Sequence, residues 1–255
     1  MALQGLVSLY LFFVGAVFGS FATLVGDRIP SGQSIVRPGS SCNHCGLRLR
    51  TWHLVPVVSF VVLQGRCTAC RAFIPMRYPV QEALLGGAVV LSFWHRESVL
   101  QVLMWCGLWF VMTVAISSDF TKLIVPNWLT YPSAGVFYIL SALASRSFLH
   151  PLFGLGGGFA MIFIVHLLSG GKMGLGDAKL YLSIGAVLGV ALTVESFLFA
   201  CLLGAVIGGV LRLTGQIARK QYVPFVPFIA LGVICAQFVF PGFPQWYLHH
   251  VLGLL

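Results

Sequence analysis

Apolar runs long enough to cross a bilayer recur along almost the whole chain, and nothing else in the sequence limits its fold so tightly. A membrane span needs about 20 mostly apolar residues. Such runs lie near residues 5–25, 80–95, 99–117, 126–145, 151–169, 177–192, 195–212 and 224–244. Only 8% of the 255 residues are charged, against about 25% in a soluble domain. So few charges could not cover a water-facing surface, which excludes a soluble enzyme and a disordered chain. The stretch 27–78 alone breaks the pattern. The expected fold is an all-α polytopic membrane protein of about eight transmembrane helices carrying one small loop domain.

Basic residues orient this fold. No basic residue precedes the first run, which begins Met1-Ala2-Leu3-Gln4. A secretory signal peptide has a charged start, so the run reads as a retained helix with its N-terminus outside. Eight spans then put 13 of the 15 Lys and Arg residues on the cytoplasmic side, leaving Arg96 and Arg146 outside. That is the bias of the positive-inside rule, and it gives an N-out, C-out topology. The net charge of +9 is mostly this orientation signal, and a basic inner face suits anionic lipid. The arginines flank membrane helices with no aromatic stacking pattern, so no nucleic-acid partner is expected.

The loop 27–78 contains Cys42-Asn43-His44-Cys45 and Cys67-Thr68-Ala69-Cys70, with 21 residues between the pairs. Each CxxC can turn two sulfurs toward one ion, and the intervening chain folds back to bring the second pair round. This spacing fits a four-thiolate zinc site. Disulfides are disfavoured in the reducing cytosol, where the topology places the loop. Four thiolates leave no vacant position on the ion, so the expected role of Cys42, Cys45, Cys67 and Cys70 is structural. The apolar run Leu54–Leu63 is too short to span and too small for a full core, which makes a metal staple useful. Cys106, Cys201 and Cys235 lie singly in apolar runs, as small core residues do.

Six carboxylates complete the inventory: Asp27, Glu82, Glu97, Asp119, Asp177 and Glu195. Glu97 and Glu195 fall in expected outer turns and Asp27 at the inner end of the first run, where solvation is the default. Asp119 and Asp177 end the third run and begin the sixth, on one side of the membrane. Ionisable groups in spans cost about 2.5–3.5 kcal/mol to insert and tend to mark function. Asp177 lies within Gly174-Leu175-Gly176-Asp177-Ala178-Lys179, whose glycines allow close approach of a helix or a substrate backbone. Two carboxylates that meet across helices suit an aspartyl protease, in which one activates water while the other protonates the scissile carbonyl.

At these residues the sequence resembles the prepilin peptidase family, the bacterial GxGD-type membrane aspartyl proteases. The resemblance runs in order through Phe18-Gly19-Ser20-Phe21, Arg28-Ile29-Pro30, both CxxC pairs and Arg77-Tyr78-Pro79-Val80-Gln81-Glu82. It continues through Asp119 to Thr130, Gly174 to Lys179, and Pro224-Phe225-Val226-Pro227-Phe228. Thr23, Asn127 and Val226 stand where the family commonly has Asn, Asp and Gly. The resemblance implies three parts: a first transmembrane helix (1–26), a cytoplasmic zinc-binding domain associated with methyl transfer (27–78), and a membrane aspartyl peptidase domain (79–255). It implies removal of the basic leader from type IV prepilin or pseudopilin precursors at the cytoplasmic face of the bacterial inner membrane. It further implies methylation of the new N-terminus from S-adenosylmethionine. Asp119 and Asp177 would be the catalytic pair, the four cysteines would hold zinc, and Glu82, Gly174, Gly176 and Lys179 would be substrate contacts.

Two readings from other classes share some of these features. An ion-coupled transporter also places carboxylates in helices, but near the midplane and beside broken helices. A non-catalytic scaffold held by its zinc loop would not need paired aspartates.

Overall fold

A computed structural model describes the chain except for residues 1, 96–97, 216–221, 241–242, 244–248 and 251–255. Arg96, Arg219 and Lys220, which the charge argument uses, Glu97 of the carboxylate inventory, and part of the last apolar run lie outside the described residues. The chain forms two compact units, Met1–Lys122 and Leu123–Leu255.

The first unit comprises α1 (Ala2–Arg28), the short α2 (Val58–Val62), α3 (Arg77–His95) and α4 (Val99–Lys122). Helix α1 packs on both α3 and α4 through small residues one turn apart. A Cβ on Gly15 would lie 2.9 Å from the Gly86 Cα, and one on Gly19 would lie 2.9 Å from the Glu82 Cα. At the other end of α1, a Cβ on Gly26 would overlap the Val114 carbonyl of α4. Small residues are what bring backbones together in lipid, where apolar surfaces alone give no preference for protein over solvent.

The second unit comprises α5 (Asn127–Ser145), α6 (Leu149–Leu168), α7 (Leu175–Leu213) and α8 (Val226–Ile234), the last continuing into a π-helical turn at Cys235–Val239. Helix α7 is two helices joined at Gly189, whose φ of 72° and ψ of 176° are not helical. The Tyr181 hydroxyl meets the Ser196 hydroxyl at 3.4 Å, and the Tyr181 and Phe197 rings are 5.9 Å apart. On a straight helix residues 181 and 196 would be about 22 Å apart, so the chain doubles back at Gly189. The Gly154–Gly158 face of α6 packs against this hairpin. A Cβ on Gly154 would overlap the Gly185 carbonyl, and one on Gly158 would lie 3.1 Å from Thr193 Cγ2.

Four of the described helical segments, Ala2–Ser31, Val99–Lys122, Leu149–Leu168 and Leu175–Leu213, are long and apolar enough to cross a membrane. Large apolar side chains such as Phe18, Ile164, Leu198 and Leu202 are exposed on them, as lipid-facing surface requires. One expectation fails here. Glu195 is not a solvated loop residue: it lies inside the second half of α7, 1% exposed. Neither of its carboxylate oxygens has a hydrogen-bond partner among the described residues. The reversal is made six residues earlier, by a glycine able to take positive φ, so Glu195 is already within a packed helix.

Candidate active site and zinc centre

Two knuckles of matching geometry present the loop cysteines. The Cys42 N–H donates to Leu47 O and the Gly46 N–H to Cys42 O; likewise the Cys67 N–H donates to Ala72 O and the Arg71 N–H to Cys67 O. Antiparallel bridges Ser41–Arg48 and Arg66–Phe73 close them. Each turn needs a left-handed residue, filled by Gly46 (φ 71°) in the first and Arg71 (φ 57°) in the second. The four sulfurs lie within 4.8 Å of one another, with Cys42–Cys70 at 3.8 Å and Cys45–Cys67 at 4.0 Å. A tetrahedral ion with Zn–S bonds of about 2.3 Å separates its sulfurs by about 3.8 Å, so the donor set fits zinc. None of these cysteines is in a disulfide.

The thiols are electrostatically unequal. Backbone N–H groups of Cys45 and His44 hold Cys42 down to about 6, and those of Cys70 and Ala69 lower Cys67. The Ala72 N–H pulls Cys70 down, but desolvation and the three neighbouring sulfurs outweigh it and push that thiol up to about 11. Four thiolates so close cannot all ionise without a cation between them.

Asp27, expected as a solvated boundary residue, is instead the hub of a polar cluster joining three helices. Its Oδ1 accepts from Ser117 (2.7 Å) and Thr121 (2.8 Å) of α4. Its Oδ2 accepts from Arg77 (3.1 Å) and Tyr78 (3.0 Å) of α3. Ser117 and Thr121 flank Asp119 at two residues on either side, so Asp27 pins the face of α4 opposite that carboxylate. Only the meeting of three separate helices creates this cluster. The available sequence signal was the Ser117/Thr121 pair, one turn apart on an otherwise apolar helix end.

Asp119 occupies the last turn of α4 and is 7% exposed, beside the buried Ser117 and Ser118. Asp177 occupies the first turn of α7 and is 9% exposed. Its N–H donates to Gly174 O at 3.2 Å, and its carboxylate folds back so far that a Cβ on Gly174 would lie 3.3 Å from Oδ2. The helix N-terminus, with its unpaired N–H groups, favours a negative charge there. Gly176 admits the segment before α5, since a Cβ on it would sit 3.1 Å from the Val125 Cβ. Lys179 donates to Asn127 Oδ1 at 2.8 Å and stands over the Tyr131 ring at 5.7 Å, tying the starts of α7 and α5 together. Part-buried Glu82 accepts from the Val57 N–H at 2.8 Å.

Comparison with known proteins bears on this arrangement. The bacterial peptidase A24 N-terminal domain matches residues 13–96, and the type IV leader peptidase domain matches 105–209. A prepilin leader peptidase/N-methyltransferase of Bacillus subtilis is 32% identical over 95% of this chain and 98% of its own length. The chain belongs to the type IV leader peptidase family. Other relatives of the same name come from Burkholderia pseudomallei, 32% identical over 83% of this chain and 70% of theirs, and from Pseudomonas aeruginosa, 27% identical over 86% of both. No solved structure matches. As a member of the type IV leader peptidase family, the chain shows what two departures from the common pattern do locally. Asn127 serves as the acceptor for Lys179, and Thr23 donates to Gln81 Oε1 at 2.9 Å between α1 and α3.

Proposed function

We propose that the protein removes the basic leader of type IV prepilin or pseudopilin precursors and then methylates the exposed N-terminus. Asp119 and Asp177 form the catalytic pair: one carboxylate takes a proton from the attacking water while the other donates to the scissile carbonyl oxygen. The protonated tetrahedral adduct then collapses: the C–N bond breaks, the amine leaves with the proton that the first carboxylate took up, and the second carboxylate regains its proton from a hydroxyl of the adduct. The observation that carries this reading is the placement of both aspartates, nearly buried, at helix ends in a chain homologous to leader peptidases over almost its full length.

The protein lies in the inner membrane, N-out and C-out with eight spans, and its zinc domain and active site face the cytoplasm. Thirteen basic residues support that orientation. The division into a first helix (1–26), a zinc domain (27–78) and a peptidase domain (79–255) belongs to the same proposal. Zinc on Cys42, Cys45, Cys67 and Cys70 holds the loop folded, while S-adenosylmethionine supplies the methyl group. The substrate's apolar helix enters laterally from the lipid, and Glu82, Gly174, Gly176 and Lys179 lie along its path.

The test is leader removal from a purified prepilin by the protein in detergent or liposomes. Asp119→Asn and Asp177→Asn should each lower the rate by about 10²–10⁴-fold, the usual contribution of a positioned acid or base. Normal cleavage by either folded variant would remove the aspartyl mechanism.

A further inference from the structure

The loop between α1 and α3 has a charge pattern that its own contacts leave unmatched. From Arg28 to Gln81 the sequence holds seven arginines and no carboxylate. Arg28 donates to the carbonyls of Ser34 and Pro38, and Arg77 pairs with Asp27. Arg37, Arg48, Arg50, Arg66 and Arg71 are exposed and have no carboxylate partner among the described residues. Large apolar side chains stand exposed between them: Val61 and Val62 on α2, Phe73 beside the second knuckle, and Trp52. The Arg66 guanidinium lies over the Phe73 ring at 4.6 Å, and that of Arg50 over Trp52 at 5.6 Å. Exposed apolar surface rimmed by polar groups marks a protein or membrane contact.

The depth of α2 favours the membrane. The Val57 N–H, just before α2, donates to Glu82 in the second turn of α3, and Glu82 stands against Gly19 of α1. Glu82 lies about 8 Å along α3 from its first residue, and Gly19 about 14 Å along α1 from its last. Each headgroup layer of a bilayer takes about 5–8 Å. The start of α2 is therefore held where headgroups give way to hydrocarbon, a level that accepts a face of valines. Past its end α2 opens onto a groove of about 360 Å³, lined by Val62, Leu63, Gln64, Arg66, Thr68 and Arg71. Two guanidiniums and a hydroxyl there meet two apolar side chains, the chemistry of a phosphate ester joined to an acyl chain.

We propose that α2 lies in the cytoplasmic leaflet and that the Arg66–Arg71 groove binds the phosphate of an anionic phospholipid. The inference rests on the proposed membrane placement of the chain and adds a lipid contact made by the zinc loop itself. Charge decides between lipid and substrate as the occupant. A prepilin leader is basic, so a surface charged only by arginine repels it, whereas anionic headgroups are drawn to it. The apolar run Leu54–Leu63, too short to span and too small for a core, thereby becomes an interfacial segment. Glu82 tethers it at Val57, where φ is 61°, a conformation rare for a β-branched residue. Arg66 and Arg71 bracket Cys67 and Cys70, so a metal held by those cysteines also fixes the spacing of the two guanidiniums.

The experiment reconstitutes the purified full-length protein in vesicles of phosphatidylcholine with phosphatidylglycerol as the anionic probe, and reads zinc content and leader removal in the same samples. Benzoylphenylalanine in place of Val61 should attach to lipid acyl chains on irradiation. Intact-protein mass spectrometry counts the phosphatidylglycerol retained. Arg66→Gln and Arg71→Gln together should weaken retention about tenfold or more with zinc still bound, and inorganic phosphate in the water should not displace the lipid. The cross-link and the preference for phosphatidylglycerol over phosphatidylcholine are read with both arginines in place, so neither depends on the double variant folding. A cross-link to protein or peptide, or none to lipid, overturns the placement of α2. Equal retention of the two lipids, unchanged retention in the double variant, or displacement by inorganic phosphate overturns the lipid groove. Any of these in a protein that still removes leaders leaves the peptidase standing. Lipid adducts on a protein that removes no leader support the lipid site and overturn the proposed function instead.

Discussion

Replacing Asp27 tests whether the cluster at the C-terminal end of α1 holds α4 in place. Four donors converge on this carboxylate, and hydrogen bonds to a charged group are worth about 1.5–3 kcal/mol each. A simple sum overstates the loss, because most of the donors have an alternative. Ser117 Oγ is also 3.1 Å from Thr23 O, and Thr121 Oγ1 is 2.8 Å from Ser117 O. Side-chain exposures of 26% for Arg77 and 19% for Asp27 admit water to the ion pair, which brings it toward the 0–1 kcal/mol or so of an exposed pair. What remains is the loss of the acceptor shared by two helices, about 1–3 kcal/mol for Asp27→Ala. Asp27→Asn, which keeps one acceptor oxygen, should cost about half as much. Thermal unfolding in detergent measures the loss. A double-mutant cycle with Ser117→Ala should show a coupling of at least about 0.5 kcal/mol, and leader removal should slow in step, since the same helix end carries Asp119. An Ala variant as stable as the wild type, or a cycle without coupling, would refute the clamp.

Other substitutions read other contacts. Gly154→Ala should destabilise by about 3 kcal/mol, the upper end for overpacking, because its Cβ meets the Gly185 carbonyl backbone rather than a movable side chain; the midpoint in a detergent melt reports it. Glu195→Met should raise that midpoint, since burying a polar group with no partner costs about 1–3 kcal/mol; a lower midpoint would mean that the carboxylate is held after all. Arg71→Gly should leave zinc affinity intact and stabilise the loop against chelators, because a left-handed L-residue costs about 1–2 kcal/mol. Zinc binding should release protons at pH 7. Cys42, at about 6, is mostly ionised there, whereas Cys70, at about 11, must lose its proton to bind. Affinity should therefore fall as pH falls, and calorimetry in buffers of different ionisation enthalpy counts the protons.

What was legible in the sequence was whatever depends on local pattern. Apolar runs marked the helices to within a few residues, the CxxC spacing brought four sulfurs together, and Asp119 and Asp177 fell at the helix ends expected of them. What escaped depends on partners far along the chain. Asp27 reads as a boundary residue until α3 and α4 arrive with Arg77, Tyr78, Ser117 and Thr121. Glu195, a lone carboxylate between two apolar runs, looked like the turn itself. The turn belongs to Gly189, one of many glycines in the segment and distinguished only by its backbone angles. The small-residue faces of α1 and α6 likewise have meaning only once the helix they admit is known.

The reversal at Gly189 also bears on how a newly made chain enters its membrane. Two helices that satisfy their own backbones and lie side by side can partition into lipid as a single hairpin. The open end of that hairpin carries Asp177 and Lys179 at one terminus and Arg212 at the other; in the proposed orientation it faces the cytoplasm, so these charges remain in the water from which the chain arrives. Glu195, near the bend, is the exception, and it passes through the apolar layer far more readily as the neutral acid than as the anion. In that orientation one insertion step leaves Asp177 at the entry surface, while Glu195, the acid of this hairpin that must travel, can do so by carrying its proton with it.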